Sequence, residues 1–135
     1  LTQLGKKDFS YDEHYGIIEK WWIASRSYPP KREHLSATGI LVEADGKPAC
    51  VGFIYRTDSK ICIFEFVVSN PEIGKEQRDA ALTFLIESAK EWAKSNGFTL
   101  IYCSIGIQKY INRLEESGFI KADTNQTHIF YEVKQ

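Results

Sequence analysis

Glu65 is the side chain whose type and setting first suggest chemistry. It interrupts an apolar run, Ile61-Cys62-Ile63-Phe64 before it and Phe66-Val67-Val68 after it. A carboxylate in such a run must find partners or hold a proton, because burying an unpaired charge is costly. A desolvated Glu with a raised pKa is the kind of group that can take a proton from an amine at neutral pH. The position equally fits a structural Glu paired with an indole N–H, an Arg or a Lys. Cys50, Cys62 and Cys103 also lie in apolar stretches. Their odd number, long spacings and lack of a CxxC pair read as buried reduced thiols of a cytoplasmic protein. No His sits near them in an arrangement that would make a nucleophile. His14, His34 and His128 lack metal-ligand spacing, so no metal is expected.

The elements that must position Glu65 follow from periodicity. Lys7 to Ser10 reads as a short first strand. Ser10 or Asp12 can cap a helix to about Ser25, with Tyr11, Tyr15, Ile18 and Trp22 as its apolar stripe. Pro29 and Pro30 stiffen the loop that follows. Thr38 to Ala44 and Pro48 to Tyr55 form a hairpin around Asp45-Gly46. Ile61 to Ser69 is the third strand of this meander. Its apolar composition predicts cover on both faces and the deepest burial of the three. Asn70-Pro71 ends it. A long helix is expected from about Lys75 to Asn96, facing inward through Ala81, Leu82, Leu85, Ala89 and Trp92 and stopped by Gly97. A strand at Phe98 to Cys103 should run parallel to Ile61–Ser69. A short helix over Ile107 to Ser117 ends at Gly118-Phe119, and two further strands are expected near Phe119 to Ala122 and His128 to Val133.

Size and charge narrow the classes. The chain has 135 residues, 43% of them hydrophobic and 26% charged, as in one globular domain. A formal net charge of -1 gives no general attraction to nucleic acid. No apolar run approaches the ~20 residues that span a bilayer. No secretory or transit segment is expected at the start of the chain, and with no Met in it Leu1 is not expected to be the translated start.

The element order, together with Trp21-Trp22, Thr38-Gly39, Gly52-Phe53, Thr57-Asp58-Ser59, Val68-Ser69-Asn70-Pro71, Arg78 with Ala81-Leu82, Arg113-Leu114-Glu115, Gly118-Phe119 and Thr127-His128, resembles the GNAT superfamily of N-acetyltransferases. More narrowly it looks like the small GNAT-like proteins of bacteriophages and prophages. The resemblance spans nearly the whole chain. It implies an α/β (α+β) fold, with a mixed central sheet of about six to seven strands and helices on both faces. All of residues 1–135 would form one acyl-CoA-binding domain.

In that superfamily two parallel strands splay apart, and the pantetheine arm of acetyl-CoA pairs with the exposed backbone of the first. The resemblance thereby implies Val67 and Val68 as pairing residues and Glu65 as general base. It also implies a phosphate loop of the form Gln/Arg-x-x-Gly-x-Gly/Ala before the long helix, where free N–H groups and the helix dipole suit an anion. Matching Ala81-Leu82 to the family's Ala-Leu puts Gln77 and Asp79 where small residues are expected. Lys75 and Arg78 can supply charge instead, although both also fit a solvated first helical turn. The family's acid, a Tyr shortly before Gly-Phe, falls on Leu114. Tyr110, one turn earlier on the same face, is the candidate in its place, and a core aromatic is its other reading. Trp21, Trp22 and Tyr28 lie on the acceptor side and could wall a substrate pocket or simply pack in the core.

Two functions compete. One is an acetyl-CoA-dependent N-acetyltransferase, in which a small-molecule or peptide amine attacks the thioester directly. The other is a catalytically inactive GNAT-like binding or regulatory protein of phage or prophage origin. Glu65 favours the first; Asp79 and Leu114 favour the second. No membrane or nucleic-acid partner is expected, and both a monomer and a dimer are compatible with the sequence.

Overall fold

The computed structural model describes residues 1–25 and 27–135. Its elements are β1 (Leu4–Asp8), α1 (Tyr11–Ala24), a single 3-10 turn (Arg32–His34), β2 (Thr38–Ala44), β3 (Lys47–Arg56), β4 (Ile61–Ser69), α2 (Lys75–Ser95), β5 (Leu100–Tyr102) and α3 (Gln108–Glu116). The strands form one sheet in the order β1-β2-β3-β4-β5. The first four pair antiparallel and β5 pairs parallel to β4. The expected mixed sheet with helices on both faces is therefore present.

Strand alternation divides the core in two. Ile40, Val42, Cys50, Ile54 and Phe64 meet Leu82, Leu85 and Ala89 of α2 on one face. Leu41, Val51, Phe53 and Val68 meet Ile18, Trp21 and Trp22 of α1 on the other. Phe64 and Val68 are four residues apart on one strand, so unbroken alternation would put both on the same face. They lie on opposite faces because β4 carries a bulge. Val51 pairs with Val68 and Phe53 with Glu65, which leaves Phe66 and Val67 opposite Gly52. Phe66 has φ 57°, a left-handed conformation uncommon for a bulky residue.

Several sequence expectations are corrected. The sheet has five strands, fewer than the six to seven expected. Residues 119–135 contain no strand; Ile129, Phe130, Tyr131 and Val133 are exposed. Their alternating apolar pattern is strand-like, but a strand needs a partner for its N–H and C=O groups. The β5 edge offers little, being only three residues long. The first strand ends at Asp8, not Ser10. The most buried strand is β3, not β4: only Cys62, Phe64 and Val68 of β4 are fully buried. Exposure is high both where β5 pairs, at Ile61 (41%), and beyond it, at Phe66 (41%).

The helix ends behave as their residues require. Gly97 and Gly118 have φ +80° and +97°, the left-handed stop after α2 and α3. After α2, the Phe98 N–H donates to Ala93 O at 3.0 Å. Ser10 precedes α1, but its side chain makes no cap; its N–H donates to Nδ1 of the buried His14 at 2.9 Å.

Candidate active site

The cleft is a consequence of where pairing stops. The β4–β5 register runs Ile61↔Leu100, Cys62↔Ile101 and Ile63↔Tyr102, and goes no further. Beyond Ile63 the two chains separate, and β4 from Phe64 onward has no strand on that side. The far end of β4 is fixed by Asn70. Its N–H donates to Ala49 O at 2.8 Å and its side-chain amide to Pro48 O at 2.9 Å, while Oδ1 accepts from Glu72 N–H at 2.9 Å.

A cavity of about 320 Å³ fills the gap. Its walls are Phe64 to Val67 on one side and Cys103 to Ile107 on the other. Trp22 and Tyr28 close it on the α1 face, and Leu82, Leu85 and Ile86 on the α2 face. It therefore reaches both faces of the sheet.

Glu65 stands at the point of divergence. Its Oε1 accepts a 2.7 Å hydrogen bond from the Ser104 N–H, across the mouth of the V. No Trp, Arg or Lys holds it among the described residues; a main-chain amide does. Burial pushes its carboxyl above the usual range, and the Ser104 bond and the nearby His128 pull the other way. Burial, helped by Glu65, pushes the Cys103 thiol up to about 11. These two groups are poor at carrying negative charge, which suits Glu65 to accepting a proton and unsuits Cys103 as a nucleophile.

Val67 lines the cavity and Val68 is buried against α1. The Asn70 N–H points to β3, so alternation turns the main chain of Val68 toward β3 as well. The N–H and C=O of Ser69 then face the open side, and Val67 sits in the bulge, where alternation is interrupted. Tyr110 also lines the cavity, with its hydroxyl 3.3 Å from Ser69 Oγ. That places the phenol four residues along β4 from Glu65, on the order of 10 Å of extended strand. Leu114, where the resemblance implies an acid, packs into the α2 core and borders the cavity.

Trp21 and Trp22 are both core residues of the α1 face, and of the two only Trp22 reaches the cavity. Tyr28 lines it while remaining 98% exposed. At the start of α2, Lys75 and Arg78 lie outside the cavity wall. Lys75 Nζ donates to Asp79 Oδ2 at 2.8 Å, and Arg78 Nη1 to Ile73 O at 3.1 Å. The N-cap of α2 is Gly74, with no side-chain cap on the first N–H groups.

Three residues of this site were not singled out as functional from sequence. Ser104 supplies only its backbone, so no side-chain signal could mark it. His128 and Arg113 lie within segments that carried the family resemblance, but their roles depend on tertiary contacts. Arg113 reaches from α3 to α2, where Nη1 donates to Asp79 O at 3.1 Å and Thr83 Oγ1 at 2.9 Å.

No family model matches the chain, and no curated protein sequence matches it. Solved structures do. An aminoglycoside acetyltransferase from an uncultured soil metagenomic sample, in complex with trehalose, is 14% identical with a TM-score of 0.63, covering 97% of each chain. An aminoglycoside N-acetyltransferase in complex with CoA is 17% identical with a TM-score of 0.60, covering 99% of this chain and 97% of that one. An acetyltransferase of the GNAT family from Streptococcus pneumoniae is 15% identical with a TM-score of 0.64, covering 90% and 87%. With so little identity it is the arrangement of strands and helices that is shared, and this chain has the fold of the GNAT acetyltransferases.

Proposed function

We propose that the chain is an N-acetyltransferase that takes acetyl-CoA as donor and a primary amine as acceptor, with residues 1–135 acting as one acyl-CoA-binding unit. The observation that carries this reading is Glu65, a carboxylate desolvated at the divergence of β4 and β5 inside a cavity open to both sheet faces. The pantetheine amides pair with the main chain of β4 at Val67 and Ser69. An extended amide ligand satisfies an open strand edge as another strand would. A main-chain N–H at the β4 bulge stabilises the thioester oxygen as it becomes negative. Glu65 removes the amine proton, directly or through a water. The CoA thiolate can leave without a strong acid, since a free thiol ionises near pH 8.5. Tyr110 orients the donor through its position beside Ser69, and Trp22 and Tyr28 wall the acceptor. Lys75 and Arg78 contribute charge near the pyrophosphate.

The acceptor class follows the company of the fold. One neighbour was solved with the aminoglycoside sisomicin, and another is named a ribosomal-protein-S18-alanine N-acetyltransferase. A small polyamine-like molecule and a peptide amine are thus both within the range of this fold. The second reading, a non-catalytic GNAT-like binder, is favoured by two residues: Asp79 and the buried Leu114 stand where a phosphate loop and a general acid are expected.

The test is turnover of acetyl-CoA with a panel of amines, by wild type and Glu65→Gln at matched folded concentration. The substitution keeps shape and the Ser104 bond but cannot take a proton. Transfer should fall by roughly 10²–10⁴ while CoA affinity is unchanged. Equal turnover would remove Glu65 from the mechanism. No turnover by wild type with any amine, alongside measurable CoA binding, would select the non-catalytic binder.

A further inference from the structure

Residues 120–135 leave the body of the molecule with little to hold them. Among the described residues, no main-chain hydrogen bond joins them to the rest of the chain. Lys31 Nζ lies 3.6 Å from Glu132 Oε1, but both side chains are exposed and such a pair stabilises little. The segment is nonetheless apolar. Ile129, Tyr131 and Val133 alternate with His128, Phe130 and Glu132, so an extended chain puts the first three on one side. These three are 85%, 76% and 68% exposed.

The sheet has a matching surface. Cys62, Phe64 and Ile101 point into the α2 core, so alternation turns Ile61, Leu100 and Tyr102 to the other face. Ile61 pairs with Leu100, and Tyr102 follows two residues along β5. The α1 core covers this face over β2, β3 and the far end of β4, and includes no residue of β5. Ile61, Leu100 and Tyr102 are 41%, 50% and 56% exposed. Their own chain does not cover them. His128 lines the cavity and Glu132 lies beside Lys31, so residues 129–133 run toward the loop after α1.

Apolar surface of this extent marks a contact with another molecule. We propose that the partner is a second copy of the chain, in a two-fold dimer where Ile129, Tyr131 and Val133 of each copy cover Ile61, Leu100 and Tyr102 of the other. The chain carries both halves of the contact. One two-fold operation therefore covers both surfaces on both molecules and leaves neither half open, as a closed dimer requires. The area also suits a dimer. Six large side chains per copy offer an area on the order of the 800 Å² per partner that a stable interface buries. A formal net charge of -1 sets up little repulsion between copies. The contact does not depend on the acetyl-CoA reading. It does bear on the cavity, because a segment held by the partner keeps His128 at the wall that includes Glu65.

Sedimentation equilibrium of the full chain, of a chain shortened to end at Thr127 and of Leu100→Glu tests this. The full chain should be a dimer at micromolar concentration. The other two should be monomers, with the dimer Kd raised roughly 100-fold or more. One lacks the covering side chains, and the other puts an unpaired charge into an apolar contact. Both should keep the fold, because residues 128–135 make no main-chain hydrogen bond to the body and Leu100 is half exposed. A melting curve checks this, and Tyr131→Asp in the full chain repeats the truncation as a single change. A monomeric full chain overturns the inference, whether the segment stays in water or folds onto its own β5. A dimer that survives either change overturns it too, because the contact then lies elsewhere. Open-ended aggregation in place of a dimer excludes the two-fold exchange.

Discussion

The Ser104 N–H donates to Glu65 Oε1 across 2.7 Å, joining β4 to the opposite wall of the cleft two residues beyond the last β4–β5 pair. One bond thus fixes a potential base at the apex of the V and keeps the loop after β5 from drifting outward. The shape of the site and the chemistry proposed for it depend on the same carboxylate.

That double role gives Glu65→Gln a signature in stability. Burial raises the folded pKa above the reference of 4.5, so the folded state binds the proton more tightly than the unfolded chain. The stabilising contribution is complete below the unfolded pKa and is lost as pH rises through the folded one. Gln is neutral at every pH and still accepts from Ser104. The variant should therefore melt higher than wild type at pH 7, and the gap should close near pH 4. Glu65→Ala orphans the Ser104 N–H and should destabilise by about 1–3 kcal/mol at both pH values. A lower melting temperature for Glu65→Gln at pH 7 would show that the charged form is the stabilised one.

The thiols should be inert. Burial pushes Cys50 up to about 12, and burial with Glu65 pushes Cys103 up to about 11. Only thiolate reacts with iodoacetamide, so native protein at pH 8 should label negligibly and denatured protein at all three cysteines. Labelling of Cys103 at the rate of a free peptide thiol would mean that the β5 wall of the cavity opens in solution.

Much of this architecture was legible in the sequence, for reasons that differ by element. The hairpin at Asp45-Gly46 and the stops at Gly97 and Gly118 are local: their residues adopt positive φ, and the neighbours need not be known. Glu65 stood out because it breaks an apolar run. The bulge was not legible, because it shows only as a slip between Gly52 and the Phe66-Val67 pair, and Phe66 is not a residue type that announces positive φ. The burial of β4 was misjudged because apolar content cannot tell a strand covered by a neighbour from one left open to a ligand. The strands expected at residues 119–122 and 128–133 failed for the complementary reason. Alternation supplies a face, but pairing supplies the strand. The ion pair at Asp79 was hidden because Arg113 is 34 residues away in sequence.

Arg113 should matter to the docking of α3. Its guanidinium donates to Asp79 O and Thr83 Oγ1 and pairs with the Asp79 carboxylate, with 22% of the side chain exposed. Arg113→Ala should lower stability by about 1–2 kcal/mol, discounted from the value of buried charged bonds for that exposure. Arg113→Lys should recover little, because an ammonium cannot reproduce the planar fork. Urea denaturation measures both, and full recovery by Lys would reduce the interaction to charge alone.

Gly52 is the position where the bulge can be tested without touching the site's polar groups. Replacing Gly by Ala usually stabilises by about 0.4–1 kcal/mol, by reducing the freedom of the unfolded chain. Gly52 has no positive φ to oppose the change, so sterics decide the sign. A Cβ there would lie 2.6 Å from Phe64 Cε1, 2.9 Å from Cζ and 3.2 Å from Leu85 Cδ2. The Phe64 ring is 4% exposed and packed against α2, so it can yield only by turning toward the cavity it lines and giving up contacts with α2. Overpacking of this kind costs about 1–3 kcal/mol, more than the entropy gain returns. Gly52→Ala should therefore destabilise, whereas Gly5→Ala, with nothing within 4 Å of its added Cβ, should be neutral or slightly stabilising. Because Phe64 adjoins Glu65, the strain should also shift the Glu65 and Ser104 amide signals in NMR spectra. Shortening the ring in Gly52→Ala/Phe64→Leu should return part of the lost stability. A Gly52→Ala protein as stable as wild type, with unmoved signals, would mean that β4 bulges without needing the space that Gly52 leaves.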